Sequence, residues 1–180
     1  MESGAWEGRQ MSHILPYVPV LLIFIPIFTA IIIYLFKSSR LSYIVFVAQT
    51  ILSVLIVLFI FYLKDNPEAG LLIFGGHDEM VAISLFNDSL SLSFIVLTIF
   101  IWWVVLLYTF NTNRHENKFL FFLMFLQGVF LGLIQTNDLF NMFVFIELIT
   151  ILVTILITYK KTGPAFRSGI YYLLLNTIGA

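Results

Sequence analysis

Long apolar runs separated by short polar segments dominate the pattern of this chain. A helix that spans a bilayer needs about 20 consecutive, mainly apolar residues, and six runs approach or exceed that length. They cover residues 14–36, 41–63, 90–110, 119–134, 139–159 and 165–180, the fourth and sixth being the shortest. We predict an all-α polytopic membrane protein with about six transmembrane helices, in which residues 14–180 form a single domain after a polar amino-terminal extension, residues 1–13.

A different pattern lies between the second and third runs. Residues 71–86 read LLIFGGHDEMVAISLF, two short apolar stretches around Gly75, Gly76 and Asp78. Glycine and aspartate suit the positive φ angles of a tight turn, and β-branched and aromatic residues suit strands. We predict an extracytoplasmic β-hairpin here. Because the alternation is imperfect, an ordered loop without strands is the alternative.

Two of the predicted helices follow short polar segments. Asn87, Asp88 and Ser89 precede the third helix, and Asn137 and Asp138 precede the fifth. A short polar side chain at such a position accepts a hydrogen bond from a free backbone N–H, and a negative charge complements the helix dipole. We therefore predict capping roles at both places.

Composition agrees with membrane insertion and excludes several kinds of site. The chain is 61% hydrophobic and only 11% charged, with a net charge of −1 that gives no reason to expect a nucleic-acid partner. Without cysteine it has no disulfide or thiolate metal site. His13, His77 and His115 have no partner at ligand spacing. We predict neither a metal nor a cofactor, and no nucleophile–base pair or phosphate-binding loop indicates an enzyme.

Basic residues are distributed unequally between the two sides of the six predicted spans. The side of the amino terminus has Arg9 and Lys64. The other side has seven: Lys37, Arg40, Arg114, Lys118, Lys160, Lys161 and Arg167. Because cytoplasmic loops carry the excess of lysine and arginine, we predict a multi-pass cell-membrane protein with an extracytoplasmic amino terminus.

Glu147 is the only formally charged residue well inside an apolar run. An ionisable group at the centre of a membrane helix costs roughly 2.5–3.5 kcal/mol, which favours a functional role. Helical spacing brings Thr150, Thr154, Thr158 and Lys161 onto nearly the same face, where they could line a hydrated proton pathway. The alternatives are threonine hydroxyls that bond their own backbone, and an interfacial anchor at Lys161.

Other polar and small residues near Glu147 have simpler interpretations. Asp138 lies nine residues earlier, roughly half a turn around the helix, so the two carboxylates do not form a contiguous pair. In the fourth run, close helix packing explains Gly128 and Gly132 at a spacing of four, and Gln127 is one of the few polar residues there.

The run GVFLGLIQTNDLFNMFVFIELITILVTILI closely resembles part of the antiporter-like membrane subunits shared by respiratory complex I, membrane-bound hydrogenases and Mrp cation/proton antiporters. Downstream, FRSGIYYLLLNTIGA resembles the start of the sixth helix in the Mrp D-type branch. This chain has Tyr171 where many relatives carry a basic residue, with Arg167 one turn earlier. The match covers most of residues 14–180 and implies the amino-terminal portion of such a subunit.

The resemblance implies a fold of inverted helical repeats and a role for Glu147. In that family the equivalent glutamate forms a switchable ion pair with a lysine on the seventh helix, which this chain does not reach. The implied partners are other membrane subunits, lipids, H⁺ and possibly Na⁺.

Three functions follow from these observations. The first is a proton- and cation-translocating subunit with Glu147, Thr150, Thr154, Asp138 and Lys161 along the pathway. The second is a structural membrane subunit that conducts nothing, and the third, least supported, is a membrane enzyme or quinone-site component.

Overall fold

The computed structural model describes residues 15–36, 43–74, 83–111 and 116–179 of this chain. They form six α-helices and one two-stranded sheet. The elements are α1 (Val18–Phe36), α2 (Ile44–Asp65), β1 (Leu71–Phe74), β2 (Ile83–Phe86), α3 (Ser89–Asn111), α4 (Asn117–Gln135), α5 (Leu139–Thr158) and α6 (Gly163–Gly179). Short 3₁₀ turns precede α1 (Leu15–Tyr17) and β1 (Pro67–Gly70).

Five helices of the described part, α1 to α5, are long and apolar enough to cross a membrane. The sixth, α6, is shorter, with 17 residues. Large apolar side chains such as Phe28, Phe100 and Leu175 project from the helices without protein cover. Such a surface suits lipid rather than water, because apolar side chains are favourably placed in the hydrocarbon of a bilayer, where the helices also satisfy their own backbone hydrogen bonds. The predicted fold class, an all-α polytopic membrane protein with a short hairpin, is confirmed.

The hairpin joins α2 to α3 and also contacts the link between α4 and α5. Its antiparallel register runs from Leu71 opposite Phe86 to Phe74 opposite Ile83. On its other side β2 forms a bridge between Leu85 and Thr136. The two strands are thus confirmed, whereas the predicted turn residues Gly75, Gly76 and Asp78, and also His77, lie outside the described residues.

Alternating helix directions define two ends of the bundle. The hairpin end contains the sheet, the start of α3 and the α4–α5 link. The basic end contains the start of α4 and the α5–α6 link, and carries four described basic residues, Lys118, Lys160, Lys161 and Arg167. Most of the described lysine and arginine residues therefore lie at the basic end of the bundle.

Helix α4 is the centre of the bundle. Ten of its 19 residues are buried, and it packs most extensively against α1 and also against α3 and α5. A Cβ at Gly128 would lie 2.8 Å from the carbonyl oxygen of Ile23 in α1, and a Cβ at Gly132 would lie 2.7 Å from the Phe145 ring in α5. Both glycines therefore allow the close packing that their spacing predicts, each against a different helix.

Three apolar clusters hold the helices together. Near the hairpin end, α1 to α4 meet through Leu22, Leu52, Ile99 and Leu131. Near the basic end the same four helices meet through Ile33, Ala48, Leu106 and Leu120. A smaller cluster joins α4 to α5. Helix α5 is therefore more peripheral than α4, and α6 packs chiefly against α5.

A pair of glutamine side chains lies inside this apolar core. Gln127 donates from Nε2 to Oε1 of Gln49 at 3.0 Å, and Gln49 donates from Nε2 to the Ile99 carbonyl oxygen at 2.9 Å. Both side chains are fully buried. Because a buried amide must find partners within the protein, these bonds connect α2, α3 and α4 at middle depth.

One residue of each predicted polar segment, Asp88 before α3 and Asp138 before α5, caps its helix. Asp88 accepts from the Ser91 N–H at 2.7 Å, and this bond holds the pKa of its carboxyl below the usual value. Asp138 accepts from the backbone N–H groups of Phe140 and Asn141 at 3.1 and 3.4 Å. Both carboxylates therefore satisfy amides that have no partner within their helix.

Candidate functional site

Glu147, Thr150, Thr154 and Thr158 lie along one side of α5, and we call this set the polar stripe. The apolar side of α5 carries Phe145, Leu152 and Leu156, which pack on α4. At 100° per residue this side is roughly 140–180° around the helix from Glu147. The polar stripe therefore faces away from α4, toward the side where α6 packs.

Helix α6 covers the half of the polar stripe nearer the basic end. Gly169 is the buried residue of α6, and a Cβ there would collide with Cγ2 of Thr158 and lie 3.7 Å from Cγ2 of Thr154. This position accepts only glycine without movement of a neighbour. The close approach brings the backbone of α6 directly onto the two threonines.

Both of these threonine hydroxyls bond the backbone of their own helix. Thr154 donates to the Thr150 carbonyl oxygen at 2.7 Å, and Thr158 donates to that of Thr154 at 2.9 Å. The sequence left open whether such hydroxyls bond locally or serve a pathway, and the local bond is present at both positions. Each hydroxyl oxygen still has lone pairs that can accept a further hydrogen bond.

Glu147 differs from Thr154 and Thr158 in that its side chain has no partner among the described residues. Within the described ranges it makes no hydrogen bond or ion pair, and its side chain is partly exposed. Its position in α5 is about 12 Å from Leu139 along the helix axis. Since α5 and α6 run antiparallel with equal rise, Glu147 is level with the last turn of α6, near residues 176–179.

Thr150 and Asp138 lie on either side of Glu147 along the chain. Thr150 is 4% exposed, one turn from Glu147, and its carbonyl oxygen accepts from Thr154. Asp138 is at the start of α5 at the hairpin end, where its carboxylate is occupied in capping. The structure thus brings Thr150 close to Glu147 along the helix and leaves Asp138 separate.

Lys161 does not continue the polar stripe. Helix α5 ends at Thr158, and Lys161 has a left-handed backbone with φ 52°, its N–H donating to the Thr158 carbonyl oxygen at 2.9 Å. Helical spacing therefore does not apply at this position. The exposed Lys161 side chain instead lines an open groove of about 910 Å³ between α5 and α6, together with Thr162, Arg167 and Tyr171.

A polar contact at the basic end was not evident from the sequence. The Tyr159 hydroxyl donates to Oε2 of Glu116 at 2.5 Å and joins the end of α5 to the start of α4. Burial, together with the adjacent carboxylate, raises the pKa of Tyr159 to about 12. The two residues are 43 positions apart, so no local pattern indicates their pairing.

Metal-binding clusters are not found in the part of the chain that the structure describes. No group of three or more histidine, cysteine, aspartate or glutamate residues comes together there. The histidines His13, His77 and His115 lie outside the described ranges. The candidate site consequently consists of one carboxyl group and neighbouring hydroxyls on α5.

Comparison with known proteins gives two kinds of similarity. The chain matches no protein-family model. It is 29% identical over 154 residues to proteins named "Putative antiporter subunit mnhD2" from Staphylococcus aureus strains JH9 and Newman, which covers 83% of this chain and 31% of theirs.

The fold is similar to a chain in the solved structure of the membrane-bound sulfane sulfur reductase (MBS), an archaeal respiratory membrane complex. The TM-score is 0.72 at 21% identity, over 94% of this chain and 34% of that one. This chain thus spans about a third of the length of the proteins that it matches. Its sequence is therefore similar to that of proteins named as antiporter subunits, and its fold to that of one chain of a respiratory membrane complex.

Proposed function

We propose that this chain belongs to a proton- and cation-translocating membrane subunit, working within a multisubunit complex, in which Glu147 is the acid of the proton pathway. The observation that carries the proposal is a carboxyl group near the middle of α5, partly exposed and without a described partner. The name of the antiporter relatives supports a role in antiport.

The physical basis is the cost of an isolated charge in an apolar environment. A carboxylate at this depth is stable only beside a cation or in contact with water, whereas the protonated form is neutral. When a cation approaches Glu147 the proton leaves, and when the cation withdraws a proton returns. The movement of a basic side chain outside the described residues would thereby be coupled to the movement of one proton.

The other pathway residues have different roles in this proposal. Thr150 and Thr154 offer oxygen atoms on the same side of α5 as Glu147 and would stabilise water molecules there. Asp138 and Lys161 are at opposite ends of α5, where they would act near the two membrane surfaces. Membrane subunits and lipids are the partners, and H⁺ exchanges with Na⁺ or another monovalent cation.

Replacement of the carboxyl group tests the proposal directly. In proteoliposomes containing the chain with its co-purifying subunits, Glu147→Gln is expected to reduce pH-dependent cation exchange more than about tenfold, because glutamine cannot carry a proton. Glu116→Gln provides a matched control, since this carboxylate lies outside the spans at the basic end. Assembly of each variant is checked by size-exclusion chromatography.

A structural subunit that conducts nothing is the second candidate. The observation that favours it is that the hydroxyls of Thr154 and Thr158 already bond their own backbone. Under this alternative, Glu147→Gln would assemble normally and exchange cations at the unchanged rate, which would reject the proposed pathway role.

A further inference from the structure

Buried amide groups without partners are concentrated at the hairpin end. Asn87 is 4% exposed, and neither Nδ2 nor Oδ1 of its side chain has a hydrogen-bond partner in the part of the chain that the structure describes. Gln135, the last residue of α4, is fully buried. Its Nε2 donates to the Leu131 carbonyl oxygen at 2.9 Å, but its Oε1 has no partner among the described residues. Together they leave one donor group and two acceptor atoms unsatisfied.

These two residues flank the same contact between β2 and the α4–α5 link. Asn87 follows Leu85 by two positions, Gln135 precedes Thr136 by one, and Leu85 and Thr136 form the bridge. The Asn137 N–H also donates to the Ser84 carbonyl oxygen at 3.0 Å. At about 3.3 Å per residue, Asn87 lies within roughly 7 Å of the bridge. The two residues that carry the unsatisfied atoms thus lie at one junction.

The chemistry of these atoms indicates the kind of ligand. Amide Nδ2 requires an acceptor, whereas Oδ1 and Oε1 require donors. A monovalent cation would satisfy the two oxygens and leave the N–H₂ group unpaired, and an apolar ligand would satisfy none of them. Water both donates and accepts, and buried water commonly bonds polar groups that the protein leaves unpaired.

We propose that Asn87 and Gln135 bind ordered water at the junction of the hairpin with α4 and α5, and we call this the junction water site. The role of the site rests on the proposed function: it would supply water for proton movement at the hairpin end of α5, before Glu147. The existence of the site does not depend on transport.

The junction water site is separate from the glutamine pair deeper in the bundle. Gln127 Oε1 also lacks a partner, but Leu131 lies one turn from both Gln127 and Gln135 on α4 and is fully buried in an apolar cluster. This apolar side chain separates the two polar positions. The proposed water is therefore local to the junction rather than continuous along this side of α4.

Hydroxyl-radical labelling by pulsed X-rays tests the proposal, because water bound beside a side chain produces radicals in place even where bulk solvent has no access. The chain is studied in lipid nanodiscs with its co-purifying subunits. Leu85, 5% exposed at the bridge, is the reporter, and Leu131, with no exposed surface, is the internal reference. We expect Leu85 to be labelled at least about threefold faster than Leu131.

Variants then assign the water to the two amides. Asn87→Leu and Gln135→Leu keep a similar volume but remove the polar atoms, so labelling of Leu85 is expected to fall toward that of Leu131. Asn176→Leu is the matched control. The Asn176 amide already donates to the Tyr172 carbonyl oxygen at 2.9 Å, and Asn176 is distant in sequence from Leu85 and Thr136, which form the bridge. If Asn87→Leu does not assemble, Gln135→Met provides the same test at the second amide.

Three results would overturn the junction water site. The first is that Leu85 is labelled as slowly as Leu131 in the unmodified chain. The second is that the labelling of Leu85 is unchanged in both amide variants. The third is a change in Leu85 labelling when choline replaces Na⁺, which would identify a cation at the site. Transport by Glu147→Gln is a separate measurement, so failure of the proposed function and failure of this site are distinguishable.

Discussion

At the scale of single residues, four of the described carboxylates have different environments. Asp88 and Asp138 each accept hydrogen bonds from backbone N–H groups at a helix start. Glu116 accepts from the Tyr159 hydroxyl. Glu147 has an apolar helix around it and no described partner. The same chemical group therefore caps a helix at Asp88 and Asp138, joins two helices at Glu116, and has no partner among the described residues at Glu147.

The bond between Tyr159 and Glu116 predicts a pH dependence at high pH. Folding raises the pKa of Tyr159 from 10.0 to about 12, so its contribution to stability is complete below about pH 10 and is lost as the pH rises through 12. In Glu116→Gln the pKa of Tyr159 is expected to decrease only part of the way toward 10. Burial of the hydroxyl is the largest cause of the raised pKa, and it remains in this variant.

Ultraviolet absorbance of tyrosinate measures this change in a pH titration. The signal of Tyr159 is obtained as the difference between each protein and the same protein with Tyr159→Phe. An identical Tyr159 titration with and without Glu116→Gln would show that the carboxylate has no influence on this hydroxyl.

At the scale of secondary-structure elements, α6 packs on α5 and approaches it closely at one glycine. Gly169 is the buried residue of α6, and its missing side chain leaves room for Thr158. Most other described side chains of α6 are exposed. The polar stripe and the position of α6 are therefore coupled, since any separation of the two helices would open the threonines to water or lipid.

This contact predicts a pair of compensating substitutions. Gly169→Ala is expected to destabilise the protein by about 1–3 kcal/mol, because the added Cβ meets Cγ2 of Thr158. Thr158→Ser removes that methyl group and keeps the hydroxyl, so the double variant should recover most of the loss. Chemical denaturation in detergent measures both effects.

Gly163→Ala is the matched control for this experiment, since no atom lies within 4 Å of a Cβ at Gly163. An equal loss of stability in Gly169→Ala with and without Thr158→Ser would contradict the proposed clash, and would indicate an effect of the substitution on α6 itself.

At the scale of the whole molecule, the bundle has a well-packed centre and a less covered side. Helix α4 is enclosed by α1, α3 and α5, whereas the polar stripe is covered only in part, by α6. The chain spans about a third of the length of its relatives. Glu147 is partly exposed on this side, which leaves room for the basic side chain of the proposed function to approach it.

The orientation of the bundle is a prediction for the whole molecule. Because lysine and arginine are concentrated at the basic end, we expect this end in the cytoplasm. The chain contains no cysteine, so single cysteines introduced at Lys160 and Asp65 can be detected without background. In right-side-out vesicles an impermeant maleimide should label Asp65→Cys but not Lys160→Cys.

Inverted vesicles serve as the control, and there the labelling should be exchanged between the two positions. Labelling of Lys160→Cys from outside in right-side-out vesicles would contradict the expected orientation, and would place the hairpin on the cytoplasmic side.

Much of the architecture could be predicted from the sequence because it depends on local chemistry. Runs of apolar residues indicate membrane spans wherever they occur, since the bilayer sets the required length. Asp88 and Asp138 are recognisable as caps because the groups they bond lie two or three residues away. Glu147 is conspicuous because a charge inside an apolar run is costly.

The tertiary structure decided the features that depend on residues distant in sequence. The Gln49–Gln127 pair is separated by 78 positions, so no local pattern could assign their bond. Likewise, helical spacing could place Thr158 on the side of Glu147 but could not tell that α6 covers it, nor that α5 ends before Lys161. Amphipathic periodicity gives the side of a residue on its helix, whereas its partners are set by how the helices pack.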